Sequence, residues 1–294
     1  MKRYLPVSWS GKDKAFRVYD FSYFYKPGAM SMGIYDYPVS KIKYAFECCP
    51  YVDGRYSEDS RDKAIDWLFA ALQYDNADAE RLALMVSIEN ICDKTDNTGF
   101  ETVQDCLRSV YQTLMDDLNA FKEIIDFLGT ATIDDSNQDA ISAKADFDRI
   151  ITSDVLFPMV CPRLVSKGRS VTYGISTLFA LLVLDYWGMS KKNKAFKICQ
   201  NCGKAFVPAD NKAIRCERIS PFDSRKTCKE DGKERKREKE YELIPDGKAL
   251  RSKISYYTEM SKSGNMNLKK CAEIQVKKYK QQLDSLKKQY VTNE

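Results

Sequence analysis

Cys199-Gln200-Asn201-Cys202-Gly203-Lys204, followed by Cys216 and then by Thr227-Cys228-Lys229-Glu230, is the stretch that decides how this chain is read. Two cysteines separated by two residues can present both thiolates to one tetrahedral metal. The later two, reached by loops of 13 and 11 residues, can close the site. The chain contains no histidine, so the implied ligand set is four sulfurs: Cys199, Cys202, Cys216 and Cys228. That is the pattern of structural zinc. A closed four-thiolate site keeps no open position for a catalytic water.

Neighbouring residues support the spacing. Gly203 follows the second cysteine, where the chain must turn sharply and glycine tolerates the backbone at no steric cost. Phe206 and Val207 read as a short strand and Pro208-Ala209-Asp210-Asn211 as the turn after it. Thr227-Cys228-Lys229-Glu230 reads as a capping box opening a helix, whose dipole would favour a thiolate in the first turn. Unrelated core cysteines or a redox-active pair are the competing readings. Nothing around Cys199 suggests the βαβ setting of a thioredoxin-like pair.

Composition bounds the rest. A chain of 294 residues, 44% hydrophobic and 30% charged, can form one large or two modest domains with a real core, and its nine prolines suit a helical fold. The longest apolar run, Leu178 to Leu184, is far short of a membrane span and reads as a buried helix. Met1 to Pro6 lacks the apolar run of a signal peptide, and Cys48-Cys49 and the other scattered cysteines suit no disulfide framework, so a reduced cytoplasm is expected. Without histidine, serine–histidine and cysteine–histidine nucleophiles and HExxH metalloprotease sites are excluded. An enzyme working through carboxylates or lysine stays open, although Asp116-Asp117 and Asp134-Asp135 read as solvated surface and there is no glycine-rich phosphate loop.

The net charge of +5 conceals an asymmetry. Residues 1–190 carry 20 Lys+Arg against 28 Asp+Glu, a net of −8, whereas 191–294 carry 27 against 14, a net of +13. The break falls just before the first metal-type cysteine, which suggests a basic module carried by an acidic body. The expected organisation is an acidic, mainly helical domain at 1–190, a four-cysteine finger with a basic helix at 191–241, and a basic helical segment at 242–294. The expected fold class is therefore mainly α, with a small zinc-ribbon or treble-clef-like finger between helical parts.

Within the acidic half, the clearest helix runs from about Phe100 to Leu128, with Val103, Leu107, Val110, Leu114, Leu118, Phe121, Ile125 and Leu128 on one face. Thr98 with Glu101 can cap its start and Gly129 can end it. Shorter helices fit Ser60 to Tyr74 and Asp78 to Cys92, and a buried one fits about Val171 to Met189; the aromatic-rich start, Tyr4 to Tyr51, has room for short strands. In the basic half, Lys229 to Glu242 reads as a charged helix, Leu250, Ile254 and Tyr257 mark a second, and about Leu268 to Tyr290 a third. That last helix carries Tyr279, Leu283, Leu286 and Tyr290 on one side. Its other faces hold Lys269, Lys270, Lys277, Lys278, Lys280, Lys287 and Lys288, which read as a solvated amphipathic surface or as nucleic-acid contacts.

The stretch Cys199 to Phe206, with Arg215-Cys216-Glu217-Arg218 and Thr227 to Gly232, resembles the C-terminal zinc-finger segment of uncharacterised proteins from Gram-positive bacteria. In those proteins a helical N-terminal region precedes the same cysteine arrangement. More distantly, it resembles CGNR-type zinc fingers, which follow an N-terminal domain and are regarded as transcription regulators. The resemblance implies that Cys199, Cys202, Cys216 and Cys228 are the ligands. It departs after the last cysteine, where a CGNR finger has Gly-Asn-Arg and this chain has Lys229-Glu230-Asp231.

Two functions are consistent with these readings. In the first, the protein binds nucleic acid or regulates transcription, with Arg225, Lys226, Lys229, Lys233, Lys236 and Arg237 facing the phosphates of DNA. In the second, it is a protein-interaction or scaffold module in which zinc only staples the C-terminal helices to the body, and the Tyr279-Leu283-Leu286-Tyr290 stripe meets the partner. Neither involves a membrane.

Overall fold

The computed structural model describes residues 5–290 except 11–12, 14, 19–23, 52–54, 73–78, 96–98, 135, 165–170, 245 and 263–265. The fold is mainly α, with one five-stranded and one two-stranded sheet among the described residues. The chain divides into two compact units: Met1–Cys199 with Gly203–Ile214, and Gln200–Cys202 with Arg215–Glu294.

The first unit is built around α5 (Val103–Thr130). All eight apolar residues of the expected stripe are buried, and Cys106 joins them. Around α5 pack α3 (Glu58–Leu72), α4 (Ala79–Thr95), α6 (Gln138–Thr152) and α8 (Leu178–Ser190). The start of α5 is capped by Thr102, whose hydroxyl accepts the Asp105 N–H, rather than by Thr98 with Glu101; Thr98 lies outside the described residues. Nor does Gly129 end the helix. It sits in the last turn, where an added Cβ would meet Ile198 at 2.9 Å, so its smallness serves a close approach of chains rather than termination.

The expected single helix over Val171 to Met189 is instead a strand and a helix. Val171, Thr172 and Tyr173, β-branched or aromatic, form β5 (Val171–Ile175), and Thr177 then caps α8 through the Ala180 N–H. β5 pairs antiparallel with β1 (Leu5–Ser10), which continues to β2 (Ala15–Val18) and β3 (Phe24–Tyr25); β4 (Arg163–Leu164) closes the other edge, giving the order β3-β2-β1-β5-β4. The register sets Val7 opposite both Val18 and Tyr173, and Trp9 opposite Phe16. Trp9, Phe16 and Tyr173 meet Trp187 of α8 and Phe157 of α7 (Leu156–Val160) in a continuous aromatic cluster with ring centroids 4.9–6.5 Å apart. Close packing there explains Gly188, whose Cβ would lie 2.5 Å from the Phe16 ring.

α8 is apolar on nearly every side, as a largely buried helix must be, and the exception in its interior is an aspartate. Asp185 is completely buried, and its carboxylate accepts the N–H groups of Gly28 at 2.6 Å and Ser31 at 2.8 Å. These are donors at the N-terminus of α1 (Ala29–Tyr35), which has no side-chain cap of its own. Gly28 takes φ 87° and approaches Val207 so closely that a Cβ would stand 2.5 Å from it. Asp185 thus caps α1 from a distant part of the chain.

The second unit holds α9 (Cys228–Leu243), α10 (Gly247–Met260) and α11 (Met266–Tyr290). Ile244, Leu250 and Leu283 are buried there, with Tyr241, Ile254, Tyr279 and Leu286 packed around them and Tyr257 stacked on Tyr279 at 5.8 Å. The stripe Tyr279-Leu283-Leu286 therefore packs within its own unit, and Tyr290 remains exposed. No helix among the described residues is long and apolar enough to cross a membrane.

Replacing Asp185 by alanine removes a charged acceptor from two buried N–H groups and should destabilise the first unit by about 3 kcal/mol. Chemical denaturation will measure it. A variant within about 0.5 kcal/mol of wild type would show that α1 is held without this cap.

Candidate metal centre

The first pair of cysteines is carried by a hairpin of β6 (Lys197–Ile198) and β7 (Ala205–Phe206), with Lys197 opposite Phe206 and Ile198 opposite Ala205. The tip is closed by Cys199 N–H to the Lys204 carbonyl at 3.0 Å and Gly203 N–H to the Cys199 carbonyl at 2.9 Å. Gly203 takes φ 70° with open space where a Cβ would stand, so backbone conformation alone demands glycine there. The hairpin is fixed at its base. The Tyr35 hydroxyl donates to Asp126 at 2.7 Å and accepts the Ala205 N–H at 3.3 Å, and the Thr132 hydroxyl donates to the Phe196 carbonyl at 3.0 Å.

The second pair frames a folded loop. Ile219 and Thr227 form an antiparallel bridge, Ser220 N–H donates to the Lys226 carbonyl, and Cys228 N–H donates to the Arg218 carbonyl at 2.8 Å. Cys228 is the first residue of α9, and the expected capping box is complete: the Thr227 hydroxyl accepts the Glu230 N–H while the Glu230 carboxylate accepts the Thr227 N–H.

These two frames bring Cys199, Cys202, Cys216 and Cys228 together, with all four sulfurs within 4.8 Å of one another. Cys202 is half-buried and the other three are buried. The Cys202 and Cys216 sulfurs are 3.7 Å apart, which is no disulfide. A tetrahedron of thiolates at the usual zinc–sulfur distance of about 2.3 Å has edges of about 3.8 Å, so the donor set fits a four-sulfur metal site. Four cysteines placed this closely can hold a metal ion.

A polar network ties the loops that carry the sulfurs. Asn201, between the first two cysteines, donates to Ser220 and to the Asp231 carboxylate, both at 3.1 Å. Ser220 donates to Asp231 at 2.6 Å, and Arg235 pairs with Asp231 at 3.3 Å while its guanidinium lies 3.6 Å above the Phe222 ring. The Ser220 hydroxyl, then Asn201 and Arg235, hold the Asp231 carboxyl below the usual carboxylate range. Its support is therefore complete above that ordinary range and is lost as pH falls through the lowered value. The Arg215 side chain packs over Gly232 and would have to shift to admit a Cβ there. Nothing in the sequence marked Asn201, Ser220 and Asp231 as partners of one another.

The six basic residues expected to face phosphates fall into two groups. Arg225 pairs with Asp223 at 3.2 Å, Lys226 bonds Glu234 and lies 3.4 Å from Asp223, and Lys229 pairs with Glu217 at 3.0 Å. Arg225 in turn pulls the Asp223 carboxyl down to about 2. Lys233, Lys236 and Arg237 are exposed on α9 and form no ion pair among the described residues. Taken whole, α9 carries six basic and six acidic residues and is electrically neutral.

Residues 170–294 match the model of a family of unknown function (DUF6076), a region that runs from just before β5 through the four cysteines to α11. No curated protein and no solved structure matches the chain.

Asn201→Ala unfastens the first cysteine pair from Asp231 while leaving every sulfur in place. It should weaken metal retention by about 10–100-fold, the usual effect of removing a supporting hydrogen bond around a metal site. Competition against a chromophoric chelator measures this, with the exposed Gln200→Ala as control. Equal affinities in the two variants would mean that the network plays no part in holding the ligands.

Proposed function

We propose that the protein is a zinc-finger protein: Cys199, Cys202, Cys216 and Cys228 hold one structural zinc ion, and the basic C-terminal region it orders binds nucleic acid. The observation that carries the metal part is the convergence of four sulfurs within 4.8 Å of one another, with no nitrogen or oxygen ligand among them and with the Cys202 and Cys216 sulfurs 3.7 Å apart, close to a tetrahedral edge. Such a donor set favours zinc or iron, and a closed set of four serves folding rather than catalysis.

Energetics support the same reading. The helical part of the second unit has three buried apolar side chains in its own cluster, a small core for a segment of this length. Zinc binding at sites of this type contributes on the order of 10–16 kcal/mol, enough to order a module with so little apolar burial. Nucleic-acid binding rests on the net charge of +13 over residues 191–294, which is the electrostatic profile of a phosphate-binding region. A regulatory role in transcription follows only from the distant CGNR resemblance. The rival protein-interaction reading is weakened by the burial of Leu283 within its own unit, which leaves Tyr290 as the exposed member of that stripe.

Elemental analysis of the purified chain should find one zinc per molecule. Cys216→Ser should lower that content severalfold and speed proteolysis within residues 200–294. A variant that keeps full zinc and full protease resistance would remove Cys216 from the ligand set, and iron in place of zinc would overturn the metal assignment.

A further inference from the structure

We propose that the nucleic-acid surface is one lysine-bearing flank of α11, and that it takes the phosphate backbone of a duplex without reading its sequence. This rests on the nucleic-acid reading of the C-terminal region and moves the contact away from α9.

Charge distribution on the two helices carries the inference. α9 has six basic and six acidic residues, and the basic residues around its start are paired with Asp223, Glu217 and Glu234. α11 has seven lysines against two carboxylates, Glu273 and Asp284. Lys269, Lys270, Lys277, Lys278 and Lys280 are all exposed, and none forms an ion pair among the described residues. Neutralised cations gain little from a phosphate because each contact must first break an existing pair. Cations without such a partner release counterions from the duplex at full benefit.

Helical geometry then gathers these lysines. At 3.6 residues per turn, Lys269, Lys270, Lys277 and Lys280 fall within about 100° of arc, with Lys278 outside it; Lys287 and Lys288 fall in the same arc, but Lys287 is half-buried with its ammonium 5.4 Å from the Tyr241 ring. From Lys269 to Lys288 the flank extends about 28 Å, most of the roughly 34 Å turn of a duplex. Glu273 and Asp284 lie on the same flank and reduce its field without cancelling it. The adjoining side of the helix, with Ala272, Tyr279, Leu283 and Leu286, is turned to its own unit, so α11 has no continuous apolar face to insert into lipid.

The residue types specify the mode of binding. α11 contains no arginine, the side chain that reads guanine through a bidentate contact, and lysine acts on phosphate as a point charge. No aromatic residue stands on the lysine flank to stack an unpaired base, which favours a duplex over a single strand.

The test uses the full zinc-loaded chain and a labelled random-sequence duplex longer than the helix, titrated across a salt series. Wild type should bind with a log–log salt slope of about −3.6, the value for four phosphate contacts, by Lys269, Lys270, Lys277 and Lys280. The triple variant Lys270→Gln, Lys277→Gln, Lys280→Gln should lose about 2.7 units of slope and at least about tenfold in affinity at moderate salt. The α9 variant Lys233→Gln, Lys236→Gln, Arg237→Gln should stay within about one unit of wild type. The substituted side chains are exposed, so unchanged zinc content and helicity are expected and are checked for each protein. Binding that the α11 variant leaves intact while the α9 variant abolishes it overturns the α11 surface and leaves the nucleic-acid reading standing. Absence of wild-type binding to any nucleic acid at low salt overturns that reading itself. Equal or tighter binding of polyglutamate, with the same slope, transfers the α11 flank to an acidic protein partner and overturns the duplex. Tighter binding of a single strand than of the duplex overturns duplex preference.

Discussion

Four cysteine sulfurs within 4.8 Å of one another are the constraint around which the C-terminal loops are arranged. As thiolates they repel, and as thiols they form only weak hydrogen bonds in a buried pocket that offers little else. A cation of matching geometry turns this unfavourable cluster into the strongest local interaction. The surrounding features make sense as devices for delivering sulfur to that point. Gly203 permits the tight tip, the Ile219–Thr227 bridge closes the second loop, and the Thr227 capping box starts α9 at the fourth sulfur. Asn201 and Ser220, both bonded to Asp231, then fix the loops by polar contacts that do not depend on a large core.

The first unit meets a different problem, how to assemble helices around a largely buried one. α8 supplies apolar surface in all directions, and the sheet and α5 offer complementary faces. Burying Asp185 in that environment would be costly if its carboxylate were unbonded. Two N–H donors from α1 answer it, and the same bonds satisfy a helix terminus that the local sequence leaves uncapped. Each group would be a liability alone, and together they specify how α1 packs.

Legibility in the sequence followed the range of the physics involved. The four cysteines, the Thr227–Glu230 cap and the α5 stripe are local patterns of spacing, and the structure contains all three. What failed depended on distant partners. Val171 to Ile175 is apolar enough for a helix, and it becomes a strand because β1, over 160 residues earlier, offers it an antiparallel ladder. Gly129 looked like a terminator because glycine often is one; its close neighbour, Ile198, lies 69 positions away. Asp185 interrupted an apolar run with no visible partner. The Asn201–Asp231 network was hidden for the same reason, since its members lie far enough apart that only the folded loops reveal the bond.

Charge shows the same division in a sharper form. A count along the sequence finds a basic C-terminal region and cannot distinguish a cation held by a carboxylate from one facing water. On α9, acidic residues recur about one turn from basic ones, and the folded finger adds Asp223 and Glu217 from outside the helix. On α11, carboxylates are too few to pair seven lysines, and helical periodicity collects six of those lysines on one flank. Of the two charged helices, α11 therefore carries a net +5 and α9 none, although α11 has the less distinctive motif. The four-cysteine cluster and the lysine-rich flank are therefore separable features, carried by different elements.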